Sequence, residues 1–258
     1  ALIAGEIDFW ETPSPDLVPG MEGNPDITIK VIDPLGTQGW LRPNHLNPPF
    51  DNPKARQALL HMVKQEHYLQ AIIGDEKFWR ACGAYFMCDT PLDSDVGAGP
   101  LMNQDLEMAR KLLKEGGYNG ETLILMDPTD IPVLHGASLV TAQMLRKIGA
   151  KVEVQAMDWS TLTSRRAETK SIADGGWNIF HTYSTGADVA SPIANIGVSG
   201  GCVEEAWFGC PCDKMLEDLR DQFSRESDPA KQVEIGIALQ KRAYEVVPYV
   251  NYGQWFQP

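Results

Sequence analysis

Two rhythms of apolar and polar positions run through this chain, and together they predict its elements. Ile27-Thr28-Ile29-Lys30-Val31-Ile32-Asp33 alternates and is β-branched, which predicts a strand. Ile7 to Trp10 reads as a shorter strand after a turn, and Trp40 to Asn44, beyond Gly36 and Gly39, as a partner strand. Asn52-Pro53 opens a helix, with Ala55, Ala58, Leu59, Met62 and Val63 at helical spacing. A second helical stretch over 65–74 closes on Gly74.

From residue 105 the rhythms interleave. Asp105 to Glu115 is helical, Glu121 to Met126 a strand, Val133 to Ile148 a helix and Lys151 to Ala156 a strand. Leu162 to Ser171 is then a helix and Trp177 to Thr182 a strand. Such alternation predicts an α/β layer with parallel pairing. Helices over 213–224 and 229–245 follow, then a strand from Val246 to Phe256 interrupted by Pro248. Three stretches lack periodicity: 13–26, 79–104 and 184–211. The last two are long for loops inside a domain, which marks them as functional or stapled.

Composition adds limits. The chain has 258 residues, enough for one large domain or two modest ones. No run of apolar residues is long enough to span a membrane. The net charge of −13 disfavours a nucleic-acid partner, because phosphates would be repelled. The start has neither initiator Met nor signal-peptide core, and the end falls inside an apolar, strand-like run. Both ends predict a piece of a longer chain.

Five cysteines form two local groups, Cys82 with Cys88, and Cys202 with Cys210 and Cys212. Neither has zinc-site spacing, so no metal or cofactor is expected. Disulfides in an oxidising compartment are favoured over inert buried thiols. The expected pairs are Cys82–Cys88 and Cys202–Cys212, because closing a ring around Cys210-Pro211-Cys212 would be strained. Cys210 is then the odd thiol.

Several segments in order carry a resemblance. They are Gly5-Glu6-Ile7-Asp8, Pro48-Pro49-Phe50-Asp51-Asn52-Pro53-Lys54-Ala55-Arg56-Gln57-Ala58-Leu59, and Ala109 to Tyr118. Gln143 to Val154 with Asp158-Trp159, Cys212 to Leu216, and Tyr244 to Val250 leading into Gly253-Gln254-Trp255 complete the set. In order and spacing the chain resembles the later part of the extracellular solute-binding proteins of the peptide/nickel ABC importer class. The resemblance implies a type II periplasmic-binding-protein-like lobe, a mixed β-sheet flanked by helices, in a two-lobed protein that closes on its ligand. It implies that 1–30 is a hinge or first-lobe remnant, 31–247 the C-terminal lobe, and 248–258 a strand returning to the hinge. It also implies a monomer located in the periplasm, or outside the cell on a lipid anchor. That monomer would hand a small solute, peptide foremost, to membrane permease and ATPase subunits.

Ligand positions favour loops at strand ends. The resemblance therefore points to His181, Tyr183, Ser184 and Asp188, with Asp188 as partner of a ligand amino group. Asp188 as a turn cap and His181 as a satisfied core histidine are the structural alternatives. Trp207, beside Phe208, either plugs the core or walls a pocket. Gln254 and Trp255 lie near the hinge by resemblance, and Trp10 follows the Gly-Glu-Ile-Asp element. Hydrolase, zinc-protease, P-loop and dinucleotide motifs are missing, so an enzyme is not expected. Cys210 with His181 is the remaining nucleophile pair. A protein-interaction module without a small ligand is the other reading.

Overall fold

The chain's single sheet is built from strands that are far apart in sequence. The computed structural model describes residues 1–11 and 13–258. In chain order the elements are β1 (Thr37–Pro43), α1 (Pro53–Met62), α2 (Gln65–Ile72), β2 (Trp79–Arg80), α3 (Gly99–Met102), α4 (Leu106–Glu115), β3 (Thr122–Pro128) and α5 (Pro132–Lys147). Then come β4 (Lys151–Met157), α6 (Trp159–Arg165), β5 (Ile179–Thr185), α7 (Gly186–Val189), α8 (Cys202–Glu205), α9 (Lys214–Arg225), α10 (Pro229–Val246) and β6 (Val250–Trp255). The strand order is β2-β6-β1-β5-β3-β4. β3 runs parallel to β4 and β5, whereas β1 is antiparallel to β5 and β6, and β2 to β6. The α/β class, the parallel pairing and the mixed sheet expected from the sequence are all present.

Side-chain caps fix the helix starts. Asn52, Asp105, Asp158, Asp213 and Asp228 each accept a hydrogen bond from a backbone N–H in the first turn of the helix they precede. Each such cap is worth about 1 kcal/mol. The cap on Asp158 moves one boundary: α6 starts at Trp159 and ends at Arg165, three residues ahead of the expected start.

Two expected strands do not form. Ile7–Trp10 and Ile27–Asp33 join no ladder, and Phe9 and Ile32 are 66% and 76% exposed. Alternation and β-branching favour an extended backbone, but a strand also needs a neighbour for its N–H and C=O groups. Of Trp40 to Asn44, expected as the partner of Ile27–Asp33, Trp40 to Pro43 instead belongs to β1, between β5 and β6, and Asn44 lies just past its end. β5 is displaced to 179–185 because Trp177 and Asn178 are used as ties. The Asn178 side chain accepts from Ile124 N–H and donates to the Pro48 carbonyl, while the Trp177 carbonyl accepts from Asn44 and Asn47.

Each sheet face has its own core. On β3, Leu123 and Leu125 pack in the large cluster with Ala137, Ala142 and Leu145 of α5. Ile124 and Met126, on the opposite face, form a smaller cluster with Leu162 of α6, Trp177 and Phe180. The period-2 alternation of a strand produces this division. The two long loops are stapled by Cys82–Cys88 and Cys202–Cys212, with Cys210 free, which are the expected pairs.

Candidate functional site

The connections around β3 define where a ligand can be met. β3 passes through α5 to β4 on one side, and β4 returns through α6 to β5 on the other. Right-handed crossovers in opposite directions put α5 and α6 on opposite faces of the sheet. Loops that part in this way leave a crevice beyond the carboxyl ends of the strands, the usual ligand position in an open α/β sheet. That end of the sheet carries Trp79, Trp255, Thr37, Thr185, Pro128 and Met157, in spatial order.

Several expected residues meet there. Tyr183 is 45% exposed and stands edge-on to Trp255, with ring centroids 5.8 Å apart. Trp255 is buried, and its Nε1 donor has no acceptor among the described residues. Trp255 in turn stacks on Tyr252, which stacks on Tyr68, so an aromatic array runs from the core to Tyr183. Asp188 is exposed in the first turn of α7. Its Oδ2 accepts from Thr185 Oγ1 at 2.8 Å and from Ser184 Oγ at 3.5 Å, while Thr185 Oγ1 accepts from the Asp188 N–H. The cap of this turn is thus Thr185, not Asp188, whose carboxylate only receives the two hydroxyls, and Oδ1 has no partner among the described residues. Gly186 has to be glycine here, because a Cβ would overlap Leu35. Gln254 is buried: its Nε2 donates to the Leu35 carbonyl and its Oε1 accepts from Arg80 Nε. It ties this end together.

Three expected residues lie elsewhere. His181 is fully buried in mid-strand, hydrogen-bonded through Nε2 to Thr141 Oγ1 at 2.9 Å; Thr141 also bonds the Tyr68 hydroxyl at 2.8 Å. Burial pushes His181 down from its ordinary value of 6.5 to about 3, so the ring is neutral. Trp207 sits at the opposite end of the sheet, edge-on to Trp40 and beside Phe180 and Phe208. Trp10 is 39% exposed in a segment outside the sheet.

The end around Trp207 is closed by Arg42. Its Nη1 donates to the Gly197 carbonyl and its Nε to the Phe208 carbonyl, both at 2.6 Å, while Nη2 reaches the Trp207 carbonyl at 3.2 Å. The guanidinium also lies 5.2 Å from the Trp207 ring centre. Burial lowers its pKa to about 9. Gly209 follows with φ of +89°, where a Cβ would press on the Pro43 carbonyl and on Arg42.

Sequence reading missed one group at the open end. Asp127, near the end of β3, pairs with His135 in the first turn of α5. An Asp at a strand end followed eight residues later by a His in a helix start was the available signal. It is weak, because only the turn between them decides whether they meet.

The comparisons agree with this architecture. The model of bacterial extracellular solute-binding proteins, family 5 (middle region), matches residues 1–202, and the chain belongs to that family. It is 35% identical, over all of its own length and 49% of the relative's, to the probable peptide ABC transporter periplasmic-binding protein y4tO of Sinorhizobium fredii. Among solved structures, the A. tumefaciens R10 protein AgaA in complex with agropinic acid superposes with a TM-score of 0.82 at 21% identity, over 100% of this chain and 51% of that one. The Helicobacter pylori DppA in complex with the peptide STSA gives 0.77 at 22%, over 100% and 49%. These likenesses show the fold. The chain spans about half the length of the relatives it matches.

Proposed function

We propose that this chain is the solute-recognition lobe of an ABC importer's binding protein, located in the periplasm or outside the cell. It captures a small solute, peptide foremost, against the open end of the sheet and delivers it to a membrane permease driven by an ATPase. It acts by binding, without turnover, and as a monomer. The observation that carries this reading is the family match across residues 1–202. Three features of the open end support it. Tyr183 offers an exposed aromatic face, and among the described residues Trp255 is a buried donor without an acceptor and Asp188 a carboxylate with one oxygen unused. An apolar surface with a few fixed polar groups suits a small solute. The two disulfides suit an oxidising compartment. Residues 1–30 and 248–258 serve in this reading as hinge or first-lobe pieces, and 31–247 as the lobe proper.

A thermal-shift screen of the protein, as its own gene encodes it, tests this against peptide, amino-acid, opine, sugar and metal-chelate panels. At least one class should raise the melting temperature with a stoichiometry of one and no product formed. If no solute does so while a partner protein does, the reading is wrong.

A further inference from the structure

Asp127 is the next-to-last residue of β3 and only 2% exposed. A carboxylate so far from water needs a donor. His135 Nδ1 supplies it, 3.0 Å from Oδ1 and 2.9 Å from Oδ2, and no other donor reaches this side chain among the described residues. The His135 side chain is 39% exposed, and its Nε2 has no hydrogen-bond partner among the described residues. In the tautomer that carries its proton on Nδ1, toward Asp127, the lone pair is on Nε2. A carboxylate behind a histidine fixes both the tautomer and the ring direction. The result is one acceptor held in a set orientation beside solvent, at the end of the strand where the connections part. Alternation places it further: Asp127 shares its sheet face with Leu125 and α5, and Tyr183 shares a face with His181, which bonds Thr141 of α5. Asp127, His135 and Tyr183 thus lie at one end and on one face.

We propose that His135 is a solute-contacting residue whose Nε2 accepts a hydrogen bond from an N–H of a peptide-like solute, with Asp127 as its positioning residue. This rests on the solute-binding reading above. A solute anion is the poorer match, because the nearby segments supply acidic side chains and no basic one. The segments 127–135, 157–161 and 183–191 also hold Asp130, Asp158 and Asp188 but no Lys or Arg.

The test uses the protein as its own gene encodes it, labelled with [15N]histidine. It is titrated with an equimolar pool of di-, tri- and tetra-alanine, with affinity measured by calorimetry. The His135 Nε2 resonance should start at the unprotonated position and move along the calorimetric binding curve. H135A should weaken binding about three- to tenfold, the loss of one hydrogen bond, and should also lower the urea midpoint because it strands the buried Asp127; H135A/D127N, which leaves no carboxylate stranded, should recover much of the midpoint and keep the binding loss. D127N should average the two ring-nitrogen shifts, as the tautomers mix, and weaken binding less. Peptide binding with an unmoved Nε2 and an unchanged Kd in H135A overturns this inference and leaves the solute-binding reading standing. No binding by any of the three peptides, with no shift, overturns both.

Discussion

The two ends of the sheet differ in how they treat polar groups. At the Pro43 end, Arg42 is buried and all three of its contacts are backbone carbonyls from the stapled loop and its approach. Rings from Trp40, Phe180, Trp207 and Phe208 fill the space around it. At the Thr185 end, Asp188 Oδ1 and His135 Nε2 have no partner among the described residues, and Tyr183 is exposed. Both ends combine aromatics with charge. At the first the charge is consumed by the protein, and at the second it is left available. A closed polar network supports stability, whereas an open one supports recognition.

Substitutions should separate the two ends, since closed-end changes move stability and open-end changes move binding. Arg42→Leu leaves three buried carbonyls without donors and should cost about 3–5 kcal/mol in urea unfolding. A small loss would mean that water replaces the guanidinium there, and the contrast between the ends would weaken.

The layer beneath the open end should titrate. His181 has its folded pKa depressed to about 3, so the unfolded chain binds more protons below 6.5. Its contribution to stability is full above 6.5 and lost as the pH falls toward 3. The loss approaches about 1 kcal/mol per pH unit, or about 2 kcal/mol in all between pH 6.5 and 4.5. His45 shifts in the same direction through burial and the nearby Arg56 and Arg42. His181→Asn should therefore flatten the pH dependence of the unfolding free energy without abolishing it. An unchanged slope would show that His181 is not kept neutral.

Replacing Cys202 and Cys212 together by Ala reopens a loop of sequence separation 10, and should cost about 2–3 kcal/mol. Peptide affinity should hardly change if the Trp207 end is structural. A large affinity loss at an unchanged melting temperature would bring Trp207 into the site. At the open end, Asp188→Asn should weaken a solute carrying an amino group by about 1.5–3 kcal/mol in calorimetry. Tyr183→Ala should alter stability least, by less than about 1 kcal/mol, because the ring is half exposed. If it unfolds the protein, Tyr183 is part of the core and the open end is smaller than described.

Much was legible in the chain itself. Helical spacing in 53–62, 106–115 and 229–246, each behind an Asn or Asp cap, and in 132–147, opened by Pro132, specified those helices locally. So did the alternation of helix and strand over 105–182, because right-handed crossovers leave few ways to arrange it. The cysteine pairing followed from ring size. In each case the deciding contacts lie within a few residues of one another. The regular pattern in Ile27–Asp33 misled for the complementary reason: a strand is completed by a neighbour, and none of the described residues supplies one.

What only the tertiary structure decided is which polar residues were left unsatisfied. His181 and Tyr183 are two residues apart on one strand, and the sequence gives no reason to separate them. Packing of Tyr68, Thr141 and Tyr252 encloses His181 and leaves Tyr183 at the surface. Asp127 and His135 are unremarkable until the turn after β3 brings them to hydrogen-bond distance. Periodicity is a property of neighbours along the chain and is written in the sequence. Exposure at a strand end depends on which distant residues pack there, and that is settled only once the sheet has formed.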